Sequence, residues 1–441
     1  MKKILLATTA LTAFAAGAAL AEGPAVSLGG YIDTQVGVVN QDAQFSKQST
    51  NTDVRFSDTS DEHVRTDSRL DVKVKGQADN GLGYGGVVTV IAEQSAAKSD
   101  DGTDNMSAEK TFVFVESGLG RVELGSNNGA SQTMKVDASK IARATGGING
   151  DFYKYVNLGG VHTNASANTL TRKKFIVTPD LPTVALPGAR NKSFDNNTGT
   201  LGSGDAFDEL ATEYANKITY YSPRISGLQV GASYIPNLGE RGNANGFKGD
   251  YVATSGNGPS ASVAQYGRDA WTVGLNYEGE YQGVGIKASA VTEQGGETQK
   301  VSHSDTSTYD DIKAYELGLN LNYAGFTVGG SWATIQELGR VAVADDSARF
   351  WTAGAGYEFG PFAASVTYLN SSSENDVEDA IAGSQTTDRN KFRNISVGAD
   401  YKLAPGLVPY VEVSFFDTND STDTTTDNDG SVVLLGTQLT F

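Results

Sequence analysis

The sequence predicts an all-β fold: a 16-stranded antiparallel transmembrane β-barrel. Three observations lead there. Apolar and polar residues alternate at period two along sixteen segments. Tiny turn-forming connections alternate with long acidic ones without a slip. After the first 21 residues, no run approaches the ~20 apolar residues that a membrane-spanning helix needs.

Residues 1–21 read as a secretory signal peptide: Lys2 and Lys3, then the apolar run ILLATTALTAFAAGAA, then Ala19-Leu20-Ala21 in front of Glu22. A membrane anchor is the weaker reading, because the apolar core is too short. Cleavage near Ala21 leaves residues 22–441 as one barrel domain. Loss of Lys2 and Lys3 takes the formal charge from −18 to −20, a balance that argues against nucleic acid as a partner. The absence of cysteine excludes a disulfide framework and thiolate metal sites.

The strands are expected at 26–38, 64–78, 82–93, 108–116, 120–126, 215–223, 227–235 and 270–281. The remaining eight are expected at 283–292, 312–323, 325–334, 348–359, 362–369, 392–403, 407–416 and 431–441. Within a pair the link is short and rich in turn formers, as in Asp79-Asn80-Gly81, Ala324-Gly325 and Ala404-Pro405-Gly406. Between pairs it is long and acidic, as in DTNDSTDTTTDNDG at 417–430. All short links therefore share one end and all long ones the other. That is the asymmetry of a cell outer membrane barrel with short periplasmic turns and long external loops.

The faces agree. Tyr315, Leu317, Leu319, Leu321 and Tyr323 alternate with Glu316, Asn320 and Asn322, and Phe326, Val328 and Trp332 continue the apolar face after the turn. Aromatics at the stripe ends form two belts at the lipid–water boundaries. In lipid, backbone groups must be paired within the protein, so strand sixteen must close on strand one. VVLLGTQLTF accordingly keeps its apolar stripe up to Phe441.

Taken in order, ADNGLGYGG, VFVESGLGRVELGS, NKITYYSPRISGLQVGASY and the terminal aromatic resemble the Gram-negative trimeric general-diffusion porins, especially the purple-bacterial branch. The resemblance implies a homotrimeric, water-filled channel for small hydrophilic solutes and ions. It also implies a third loop that narrows the lumen opposite basic wall residues. Residues 127–214, the longest connection, are the constriction loop on this view. They exceed the length the family leads one to expect, and part of them could instead lie over the mouth.

Channel chemistry is the chemistry of charged side chains in a narrow passage. In HVRTDSRLDVKVKG, Arg65, Asp67, Arg69, Asp71, Lys73 and Lys75 share the inner face, and Arg121 and Glu123 point inward from strand five. The candidate constriction therefore sets Arg65, Arg69, Lys73 and Arg121, with Glu123, against loop acids Asp137, Asp151, Asp205 or Asp208. An equal reading is that these charges pair for stability alone. Arg172-Lys173-Lys174 reads as a solvated basic cluster, and the formal charge suggests weak cation preference at most.

No cofactor is expected. The acidic outer loops, with Asp417, Asp420, Asp423, Asp427 and Asp429, offer oxygen ligands for Ca²⁺ and a bridge to outer-membrane lipid and lipopolysaccharide, but no 12-residue calcium loop is complete. Gly81-Leu82-Gly83-Tyr84-Gly85-Gly86 is a turn entering a strand and not a phosphate loop, since no helix follows. His63, His162 and His303 have no metal spacing, and an enzyme is not expected. Against the general porin stand a solute-selective channel and, further off, a barrel enzyme or adhesin.

Overall fold

The structure is a computed structural model. It describes residues 23–42, 47–50, 55–58, 61–92, 106–156, 175–181, 212–238, 240, 267–298, 311–338, 347–374, 389–419 and 427–441. The expected signal peptide, Arg172-Lys173-Lys174, Asp205, Asp208, His162, His303, Asp420 and Asp423 lie outside the described residues.

Sixteen strands form one closed antiparallel barrel. They are β1 (Ala25–Gln41), β2 (Glu62–Gln77), β3 (Gly83–Ala92), β4 (Met106–Ser117), β5 (Gly120–Ser126), β6 (Asn216–Tyr221), β7 (Leu228–Asn237) and β8 (Gly267–Tyr281). The second half comprises β9 (Val284–Gly295), β10 (Ile312–Tyr323), β11 (Phe326–Leu338), β12 (Ala348–Phe359), β13 (Phe362–Glu374), β14 (Arg389–Tyr401), β15 (Leu407–Asn419) and β16 (Asn428–Thr440). Each pairs with its chain neighbours, and β1 pairs with both β2 and β16. The seam runs from Tyr31 opposite Thr440 to Gln41 opposite Gly430. Phe441 completes it: its N–H donates to the Gly30 carbonyl at 3.2 Å and its carbonyl accepts from the Gly30 N–H at 3.0 Å. The last backbone groups of the chain are thus paired, as a bilayer requires.

Burial is inverted relative to a water-soluble protein. On β10, Leu317 and Leu319 are exposed while Glu316 and Asn320 are buried. On β1, Ile32, Val36 and Val38 point out while Asp33 and Gln35 point in. A contiguous apolar exterior of this kind needs lipid against it. Tyr315 and Tyr323 bound one stripe eight residues apart, about 26 Å along the strand and, after tilt, close to the ~25 Å apolar band of such barrels. One belt includes Tyr234 tilted against Trp271 at 4.5 Å and Trp351 beside Tyr368 at 4.9 Å. The other includes Phe326–Tyr357 at 4.1 Å and Phe362–Tyr401 at 4.6 Å.

All sixteen expected strands are present, but several run further outward. β11 continues from the expected 334 to Leu338, and β13 from 369 to Glu374. The alternating signal stops where lipid stops, whereas ladder pairing continues in water and needs no apolar face. At the opposite end, Ala324 and Gly325 both take left-handed φ, +50° and +87°. That is the two-residue turn whose twist matches antiparallel strands. A small hairpin, Lys47–Thr50 with Arg55–Asp58, sits in the first long connection and was not expected from the sequence.

Candidate functional site: a belt inside the barrel

The 127–214 connection begins and ends on one lysine. Lys217 of β6 donates from Nζ to the carbonyls of Ala215 at 2.5 Å and Glu213 at 3.0 Å, and also to that of Asn127. Ser126 Oγ donates to the Tyr214 carbonyl at 2.6 Å. Both roots of the connection are therefore held together at the barrel wall.

From there, residues 127–156 run along the wall as a belt, with one short helix α1 (Ala130–Met134) and three 3₁₀ turns. The wall residues that hold it are the small polar alternates of the apolar stripes. Ser233 accepts from Ala130 N at 2.9 Å, and Ser131 Oγ donates to Glu293 at 2.6 Å. Further round, Ser289 accepts from Val136 N at 2.8 Å, Thr352 from Ala138 N at 3.2 Å and Ser365 from Arg143 N at 2.8 Å. Glu412 of β15 receives Thr145 Oγ1 at 2.8 Å and Gly147 N at 3.1 Å. The belt then reaches β1, where Gln35 Nε2 donates to Asp151 at 2.6 Å, and β2, where Lys154 bonds Asp67.

Gly318 of β10 shows how close the approach is. A Cβ there would lie 1.6 Å from the Val136 carbonyl oxygen. The described belt thus covers the inner wall from β7 round to β1 and crosses onto β2, while the arc from β2 to β5 keeps its own charged side chains toward the lumen.

The belt carries a fully enclosed ion cluster. Lys135 Nζ meets Asp180 at 2.5 Å and Asp137 at 3.2 Å, and donates to the Pro179 carbonyl at 2.6 Å. Burial alone would lower its pKa, but Asp180, Asp137 and Glu316 outweigh burial and hold the ammonium above the ordinary lysine value. Through this pairing the segment 175–181 docks on the belt, and Ser371 Oγ donates to the Ile176 carbonyl at 2.6 Å. Phe175, Ile176 and Leu181 join Phe152, Phe350, Phe392 and Phe416 in a buried apolar cluster. Lys154 behaves like Lys135: burial lowers it, but Asp151, Tyr153 and Asp67 prevail and raise it.

The candidate constriction residues fall as follows. Arg65 lies over the Tyr155 ring, 4.9 Å from its centroid. Arg69 pairs with Glu109 at 2.8 Å and Asp71 at 3.3 Å. Lys73 is exposed on the same face. Arg121 pairs with Glu123 at 2.6 Å and Glu116 at 3.1 Å and stacks on Phe114 at 3.7 Å. Glu123 also accepts from Asn127 at 2.5 Å, and Asp151 pairs with Lys154 at 3.0 Å.

One expectation needs correction. Asp137 has no exposed surface; its carboxylate accepts from Ser139 N at 2.7 Å and pairs with Lys135. It caps a turn and neutralises a belt cation, so no permeating solute meets it. Where belt and β2 touch, moreover, the belt supplies the cation, Lys154, and the wall the acid, Asp67. Sequence reasoning missed Lys135, Lys154, Glu293 and Glu412. Glu293 and Glu412 left a legible trace as acids at inward alternate positions of their strands, whereas Lys135 and Lys154 lie in the belt, where no alternation marks them.

Residues 7–421 match the family described as Gram-negative porin. An uncharacterized protein of Rickettsia felis is 27% identical over 375 residues, spanning 75% of this chain and 76% of the relative. Among solved structures, the anion-selective porin of Comamonas acidovorans superposes with a TM-score of 0.54 at 16% identity, over 95% of this chain and 100% of that one. OmpT of Vibrio cholerae, in its trimer form, superposes with a TM-score of 0.52 at 10% identity, over 95% and 100%. With its closed sixteen-strand wall and lipid-facing exterior, this chain belongs to the Gram-negative porin family and is a diffusion channel of the outer membrane.

Proposed function

We propose that the channel passes small hydrophilic solutes and ions through water held between the belt and the charged arc of β2 to β5. The observation that carries this reading is the one-sided anchoring of the belt: among the described residues its wall bonds run from β7 to β2, leaving Arg69, Lys73 and Arg121 on the remaining arc, with Glu123 buried behind Arg121 as its partner. Arg65, Asp151 and Lys154 flank the point where belt and β2 meet. These residues form the proposed constriction. Asp205 and Asp208 stay in the proposal on their sequence alone.

Opposite charges across such a passage orient water and favour dipolar solutes over apolar ones. Arg69 neutralises Asp71 and Glu109, so Arg69→Ser is expected to leave both acids uncompensated and shift permeability toward cations. Planar-bilayer recording with asymmetric KCl and sugars of graded size reads ion preference and radius together. Unchanged conductance and selectivity in Arg69→Ser and Arg121→Ser would remove both residues from the constriction.

The further parts of the reading are a homotrimer, supported by the trimer form of the Vibrio cholerae protein, and export through a signal peptide cleaved near Ala21. Contact with outer-leaflet lipid and lipopolysaccharide, with Ca²⁺ as a bridge at Asp417, Asp427 and Asp429, completes it. The apolar packing of 175–181 on the belt favours a second reading, a solute-selective channel. Block of the current by one low-concentration solute would single that out.

A further inference from the structure

Charge along the β2 to β5 arc is not evenly compensated. Asp67 is paired with Lys154, and Asp71 and Glu109 with Arg69. Glu116 holds Lys75 and Arg121, and Glu123 holds Arg121. Two exposed cations on the same face of β2, Arg65 and Lys73, have no carboxylate partner among the described residues. Eight residues separate them, about 26 Å along the strand, and the ion-paired tier of Asp67, Arg69 and Asp71 lies between.

Arg65 is also held in place. Its guanidinium lies over the ring of Tyr155, a belt residue, with the centroid 4.9 Å away. Tyr155 itself is packed so closely on β1 that a Cβ at Gly37 would come within 2.2 Å of its ring. A guanidinium stacked by one face keeps its edge donors free and pre-oriented, and that planar fork matches the two oxygens of a carboxylate or phosphate.

We infer that Arg65 and Lys73 are two oxyanion stations, one on the outer and one on the periplasmic side of a charge-neutral tier, and that the channel prefers small carboxylate- or phosphate-bearing anions. This rests on the channel reading above and gives a preference opposite to the cation preference that the chain's formal charge of −18 suggests. The stations are further apart than the ~10 Å over which charges interact at 0.1 M salt, so they act independently. A solute released by one therefore diffuses across the neutral tier before the other attracts it.

The test is the zero-current potential of the full-length channel in a KCl gradient, followed by replacement of chloride with acetate or inorganic phosphate. The wild type is expected to favour anions. Arg65→Gln and Lys73→Gln should each lower the anion-to-cation permeability ratio about twofold, and the double variant by their product. Neither substitution unpairs an acid, so folding is expected to persist, as read by the heat-dependent gel shift. Arg65→Lys keeps the charge but loses the fork: it should leave the chloride-to-potassium ratio unchanged while lowering acetate and phosphate permeability relative to chloride. A conducting double variant with the wild-type ratio would overturn the stations and leave the channel standing. Absence of current from the folded wild type would overturn the channel reading itself.

Discussion

Lys135 is completely enclosed, and its ammonium meets two carboxylates and one carbonyl that come from both the belt and the docked segment 175–181. Removing one partner of a buried ion pair leaves the other charge uncompensated, at a cost of about 3–5 kcal/mol. Lys135→Met is therefore expected to loosen the belt while the barrel, which does not use this residue for strand pairing, persists. Limited proteolysis in detergent should then cut within 127–181 while the gel shift of the folded barrel is retained; protection equal to wild type would refute the anchoring role. Gly318 is a second point of leverage. Even the Cβ of alanine would collide with the Val136 carbonyl, so Gly318→Ala should displace the belt and change single-channel conductance with little effect on the gel shift.

Among the elements, β16 shows what each stripe contributes. Leu435 is 64% exposed on the outer face and opposes Val36 of β1 at the closing seam. A charge placed there must enter hydrocarbon, at about 2–4 kcal/mol near the midplane for arginine. Leu435→Arg is expected to lower folding stability into lipid vesicles by that amount, measured by denaturant titration, whereas a change at an inward position of the same strand acts through the lumen. The strand pattern was legible because lipid on one side and water on the other impose period two. The outward extensions of β11 and β13 were not, because in water the ladder continues without any constraint on side-chain polarity. The belt was not legible as a path, since its wall partners Ser289, Thr352 and Ser365 are residue types that would also suit an open wet lumen.

At the scale of the whole molecule, the excess of acids and the lumen's local balance point in different directions. Charges farther apart than a screening length do not determine what happens at the narrowest point, and that length falls from ~10 Å at 0.1 M to ~3 Å at 1 M salt. Ion preference set by a few lumen side chains should therefore weaken steeply between 0.1 M and 1 M KCl while conductance rises; a preference independent of salt would point to size exclusion instead.

The sequence by itself determined the wall: where the strands lie, which side chains face lipid, and that the last strand must close on the first. Each of these follows from pairing the backbone in hydrocarbon, a constraint written residue by residue along the chain. Only the tertiary structure decided which charges neutralise one another. Arg69 with Glu109, Lys154 with Asp67, and Lys135 with Asp180 join residues far apart in the chain, and a carboxylate's role as lumen charge or buried anchor depends on which cation folding brings to it.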